Sequence, residues 1–161
     1  MRAFTLLELV VVLAVVYLVL SLVFPQIYNS SLSGEESFKN RFTSLLVNSF
    51  SFNGGSELCV DFKREVFSVG GKEVKLPYRP ESVVFPGKLV SGELASKYCF
   101  VPSGATLFVL NLKKGDGYLS VMVLLPMGES KFYSLKESEE ETLKDKVEKG
   151  RVGEWFSYYW Y

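Results

Sequence analysis

The sequence predicts an α+β protein: a long N-terminal α-helix, transmembrane in one half and amphipathic in the other, packed on an antiparallel β-sheet or sandwich. Three observations predict it. Residues 4–24 form an almost unbroken apolar run with one charge, Glu8. Residues 38–50 repeat apolar side chains at helical spacing. From Glu57 onward, short runs rich in Val, Phe and Tyr alternate with Gly- and Pro-containing turns, the pattern of an antiparallel all-β unit.

The 21 residues from Phe4 to Phe24 would span ~30 Å as a helix, about the thickness of a bilayer's hydrocarbon core. The run is longer than the apolar stretch of a secretory signal, and Phe24-Pro25-Gln26-Ile27 after it offers no small-residue cleavage site. Arg2 before the run favours a cytoplasmic N-terminus, with the bulk of the chain outside the cytoplasm. A carboxylate inside such a segment is costly unless it is matched, so Glu8 points to a functional partner.

After Pro25 the sequence turns polar, and Ser33-Gly34-Glu35-Glu36 reads as a capping box that restarts a helix. Phe38, Phe42, Leu45, Leu46 and Phe50 then make an amphipathic stripe, which Gly54-Gly55 stops. Strands follow. Leu58, Val60 and Phe62 share one face of the first. Val66–Val69 and Lys72–Leu76 flank Gly70-Gly71, a strong hairpin signal. Pro77, Pro80 and Pro86 punctuate a less regular stretch that includes Val83-Val84-Phe85, and Tyr98–Val101 precedes a Pro102-Ser103-Gly104 turn. A second hairpin joins Thr106–Leu112 to Tyr118–Leu125 through residues 113–117, and Phe132-Tyr133-Ser134 suits a last strand. Ser138-Glu139-Glu140-Glu141 is a second capping box. Glu140–Lys144 and Asp145–Lys149 stand at the favourable i,i+4 spacing, and with only Leu143 and Val147 apolar the helix is expected to be a solvated surface element ending at Gly150. The chain closes on Trp155, Phe156, Tyr158, Tyr159, Trp160 and Tyr161, which suit either a final buried strand or an exposed partner patch.

Composition removes several function classes. There is no His, so the commonest general base and metal ligand is absent. Eighteen basic residues balance eighteen acidic ones, which counts against a nucleic-acid partner. Gly70-Gly71-Lys72 lacks the spacing of a phosphate-binding loop, and Glu139-Glu140-Glu141 lacks the spaced oxygen ligands of a calcium loop. No enzyme, cofactor or metal is expected. Cys59 and Cys99 fit no metal spacing; they could pair in an oxidising compartment or remain two buried thiols.

The N-terminal residues resemble the class III signal of type IV pilins and type II secretion pseudopilins. The match is Ala3 followed by Phe4-Thr5-Leu6-Leu7-Glu8-Leu9, with Ala3 where the family more often has Gly and with a short leader. The resemblance covers about the first 25 residues. It implies cleavage by prepilin peptidase between Ala3 and Phe4, N-methylation of Phe4, and a kink at Pro25. It further implies assembly through a contact between Glu8 of one subunit and the Phe4 ammonium of its neighbour. On this reading residues 1–3 are a leader, 4–24 a transmembrane and filament-core helix, 25–52 its amphipathic continuation, and 53–161 a periplasmic β-rich domain. Before assembly the chain would be a single-pass protein of the bacterial inner membrane, and afterwards part of a pseudopilus or pilus with other pilin or pseudopilin subunits. Phe100-Val101-Pro102-Ser103-Gly104, the second hairpin and Met127-Gly128-Glu129-Ser130 look, more loosely, like the minor pseudopilin H subgroup and its minor pilin relatives. Two alternatives stay open: a minor pilin that captures a ligand or DNA, and an unprocessed, signal-anchored periplasmic domain.

Overall fold

A computed structural model describes residues 6–52 and 55–151, with side chains in the first helix described for residues 8–19, 21 and 34–49. The chain forms two compact units, Met1–Ser37 and Phe38–Tyr161. Helix α1 is Leu6–Phe52. Its part in the first unit carries Glu8 and the apolar run; its part in the second contributes Phe38, Phe42, Leu45 and Leu46 to the core of the β-rich unit.

The expected fold class does not stand as stated. Among the described residues no helix is long and apolar enough to cross a membrane. The transmembrane half is therefore overturned, and the single-pass inner-membrane placement that rested on it falls too. Nor does α1 restart at Ser33: it is helical without a break through Pro25 and Gly34.

Within the second unit the helical pieces are short and the strands dominate. Nine strands follow α1: β1 (Leu58–Asp61), β2 (Val66–Val69), β3 (Lys72–Lys75), β4 (Arg79–Phe85), β5 (Lys88–Ser91), β6 (Lys97–Phe100), β7 (Thr106–Lys114), β8 (Gly117–Leu125) and β9 (Glu129–Lys136). They make two antiparallel sheets, a four-stranded one in the order β3-β2-β1-β6 and a five-stranded one in the order β5-β4-β7-β8-β9. Helix α2, Glu137–Glu148, follows β9 directly.

The two hairpins expected from sequence form. Val69 pairs with Lys72, leaving Gly70 and Gly71 as a two-residue loop with φ of 55° and 85°, the left-handed pair a tight hairpin turn requires. The β7–β8 turn is tighter than expected: Lys114 pairs with Gly117, so only Gly115 and Asp116 connect the strands. The stretch punctuated by Pro77, Pro80 and Pro86, expected to be less regular, contains the seven-residue β4, and β5 follows it. Gly128 lies in the turn before β9.

The five-stranded sheet is buried on both faces. Alternation assigns Val83, Phe108, Leu110, Leu112, Leu119, Val121 and Val123 to one core, with Phe38, Phe42, Leu45 and Leu46 of α1 and Leu58, Val60, Phe67 and Val69 of the smaller sheet. Phe42 sits 4.7 Å from Phe67 and 6.0 Å from Phe132, ring centre to ring centre. The other face carries Val84, Val109, Met122 and Leu135 against Leu143 and Val147 of α2. That second core corrects the picture of α2 as a solvated element: Glu140, Leu143 and Val147 are all buried. Helix α2 also begins earlier than expected, with Lys136 at its N-cap and its backbone N–H donating to Glu139 Oε2 at 2.8 Å.

Candidate functional site

In the first unit, every described side chain from Glu8 to Val19 is exposed. Leu9, Val10, Val11, Val12, Leu13, Val15, Val16, Leu18 and Val19 each show between 47% and 60% of their surface to solvent. Successive residues on a helix point about 100° apart, so this run is apolar and uncovered on every side. Glu8 lies at its head, in the first turn of α1. Ala3 and Phe4, the expected cleavage and methylation positions, lie outside the described residues. Pro25 is within α1, and its side chain is not among those described. Trp155, Phe156, Tyr158, Tyr159, Trp160 and Tyr161 also lie outside the described residues.

Cys59 and Cys99 form a disulfide with a Cα–Cα distance of 4.0 Å. They face each other directly across the β1–β6 ladder. Glu57 is close enough to complete a cluster of three metal-ligand types, but disulfide sulfurs are not the thiolates a metal takes.

Two constellations in the second unit escaped sequence reasoning. The first is a polar row on the α2 face of the larger sheet. Ser82, Asn111 and Ser120 are register neighbours on β4, β7 and β8. Ser120 Oγ donates to Asn111 Oδ1 at 2.7 Å, while Asn111 Nδ2 contacts Ser82 Oγ at 3.3 Å and donates to Glu140 Oε1 at 2.6 Å. The same Glu140 oxygen accepts from Lys144 Nζ at 3.2 Å. Burial raises the Glu140 pKa, against the opposing effect of Lys144. The row satisfies its own donors and acceptors, which suits a structural clasp between α2 and the sheet.

The second lies where β4 bulges. The register steps from Pro80↔Leu112 to Ser82↔Asn111, so Glu81 is the extra residue with no partner on β7. A bulge re-aims the side chain it inserts, and Pro is accommodated there because no ladder donor is lost. Glu81, Arg79, Pro80, Gly92, Glu93 and Lys113 line a cavity of about 160 Å³. Gly92 closes one wall: its N–H donates to the Glu81 carbonyl at 2.7 Å, and a Cβ there would lie 2.6 Å from the Phe62 ring. Lys113 Nζ donates to the Tyr118 hydroxyl at 3.2 Å, and that hydroxyl hydrogen-bonds to the Glu81 carboxylate. Burial, reinforced by the bond to Glu81, pushes the Tyr118 pKa up; the bond to Tyr118 is the main cause of the raised Lys113 pKa. Glu81 Oε2 is buried with no hydrogen-bond partner among the described residues. The sequence signal for this site is faint: a proline at the second position of a strand, with charges scattered over some 35 positions.

The chain matches no protein-family model, no curated protein and no solved structure.

Proposed function

We propose that this chain is a pilin-like or pseudopilin subunit that assembles with like subunits through the N-terminal part of α1. The observation that carries the reading is the exposure of Leu9–Val19 on all sides. At about 25 cal/mol per Å² of apolar surface removed from water, such a helix gains most when surrounded by other helices. The signal-like order Ala3, Phe4, Thr5, Leu6, Leu7, Glu8 selects the pilin class among helical assemblies.

In this reading prepilin peptidase cuts before Phe4, and the new ammonium meets Glu8 of a neighbouring copy. A carboxylate and an ammonium in an apolar bundle each cost several kcal/mol alone, and pairing offsets both costs. The contact thereby selects one axial register among the many that an all-apolar interface would allow. The β-rich unit is what the assembled helices present.

The test is mass spectrometry of the N-terminus after co-expression of the full chain with a prepilin peptidase. A chain beginning at Phe4, with a methyl group on its amine, is the expected outcome; one beginning at Met1 overturns the proposal. Glu8→Ala should still be cut but should no longer crosslink to like subunits.

A further inference from the structure

We propose that the cavity at the β4 bulge is a binding site for a small zwitterion of the α-amino acid type, one carrying an ammonium and a carboxylate a few bonds apart. The cavity is lined by four ionisable side chains, two of each sign: Arg79 and Lys113, Glu81 and Glu93.

The cationic half is an arrangement that sheets ordinarily avoid. Arg79 and Lys113 stand directly opposite each other in the β4–β7 register. Like charges in that relation destabilise a ladder, and an anion held between them removes the penalty. The Arg79 guanidinium makes no hydrogen bond or ion pair among the described residues, and its planar fork suits a carboxylate.

The anionic half is set by the bulge. One side of the Glu81 carboxylate is held by Tyr118, itself held by Lys113, so the group is oriented before any ligand arrives. Its Oε2 is buried and has no hydrogen-bond partner among the described residues. A buried acceptor in that condition costs about 1–3 kcal/mol, and an ammonium would satisfy it with a charge-assisted bond. Glu93, whose carboxylate has no partner among the described residues, stands on the same wall as Gly92. A simple cation would be repelled by Arg79 and Lys113, and a simple anion by Glu81 and Glu93; only a ligand with both charges answers both pairs.

Size agrees. At about 160 Å³ the cavity far exceeds the ~15 Å³ that admits one water, yet it is too small for a peptide of any length. Gly92 lets its wall lie close against Phe62, where a Cβ would come within 2.6 Å of the ring.

The experiment is calorimetric titration of the full chain with L-alanine, and separately with ethylamine and with propionate, each of which carries one of the two charges. Alanine should bind, and each one-armed analogue should bind at least about tenfold more weakly, the loss of one charge-assisted bond. Glu81→Gln, which preserves shape, should weaken alanine by about tenfold or more, and so should Arg79→Ala at its exposed position. Far-UV circular dichroism verifies that each variant is folded. The proposal is overturned if alanine gives no binding up to about 10 mM. It is equally overturned if ethylamine or propionate matches alanine, or if whichever variants remain folded bind alanine as the parent does.

Discussion

Glu140 ties α2 to the sheet through one carboxylate oxygen, shared by Asn111 and Lys144, and the strength of that tie depends on its proton. Burial favours the neutral carboxyl, Lys144 opposes this, and the nearby acids Glu81 and Glu141 add to the upward shift; the folded-state pKa therefore stands above the ordinary 4.5. For a group shifted in this direction, the support it gives the fold is complete below its unfolded pKa and is lost as pH rises through the folded one. Glu140→Gln keeps an oxygen for Asn111 and removes the titration. The melting temperature of the variant relative to the parent should thus become more favourable as the pH rises above about 4.5. An unchanging difference over that range would show that Glu140 does not titrate differently on folding. Gly128 makes a steric point at the same scale. With φ at 69°, and with a Cβ that would lie 3.2 Å from the Val47 Cα, it lets the β8–β9 turn lie against the backbone of α1.

Elements in the second unit are held by their faces. Helix α2 has a mean polarity that suggests a solvated helix, yet Leu143 and Val147 are fully buried over Val84, Val109 and Met122. Leu143→Ala should therefore cost about 2–5 kcal/mol, read as a lowered urea midpoint; a loss within ~0.5 kcal/mol would return α2 to the surface role its composition suggests. Sequence patterning was sufficient for the first hairpin because its turn carries its own geometry: Gly70-Gly71 must supply two left-handed residues, and the register of Val69 with Lys72 follows; for the second it placed both strands but not the pairing of Lys114 with Gly117. It was insufficient for β4, where Pro80 and the inserted Glu81 interrupt the alternation, and for β5, whose Lys88 and Leu89 are exposed at a sheet edge. The i,i+4 pairs behaved as spacing indicates, with Lys144 to Glu140 at 3.2 Å and Lys149 to Asp145 at 2.6 Å. Local rules held where the interaction is local.

For the whole molecule, the Cys59–Cys99 disulfide is the longest covalent constraint in the described chain. It closes a loop with a sequence separation of 40 that starts at β1, continues through β2 and β3 of the smaller sheet and β4 and β5 of the larger one, and returns at β6. Closing a loop of that length in the unfolded chain is worth about 2–4 kcal/mol, so the guanidinium midpoint should fall by that equivalent when the bond is reduced or when both cysteines become Ala. An unchanged midpoint would mean the two sheets hold β1 against β6 unaided. By itself the sequence determined the β character of residues 58–136, the two hairpins and the tight turn of the first, the amphipathic stripe at Phe38–Leu46 and the apolar run beside Glu8, because each rests on neighbours a few positions apart. It also suggested a membrane span that the described residues do not support. Only the tertiary structure decided that Cys59 faces Cys99, that Glu140 meets Asn111 across 29 positions, and that Arg79, Glu81, Glu93 and Lys113 share one cavity. Those are relations between distant segments, set by strand order and by one bulge, and no local pattern of residue types encodes them.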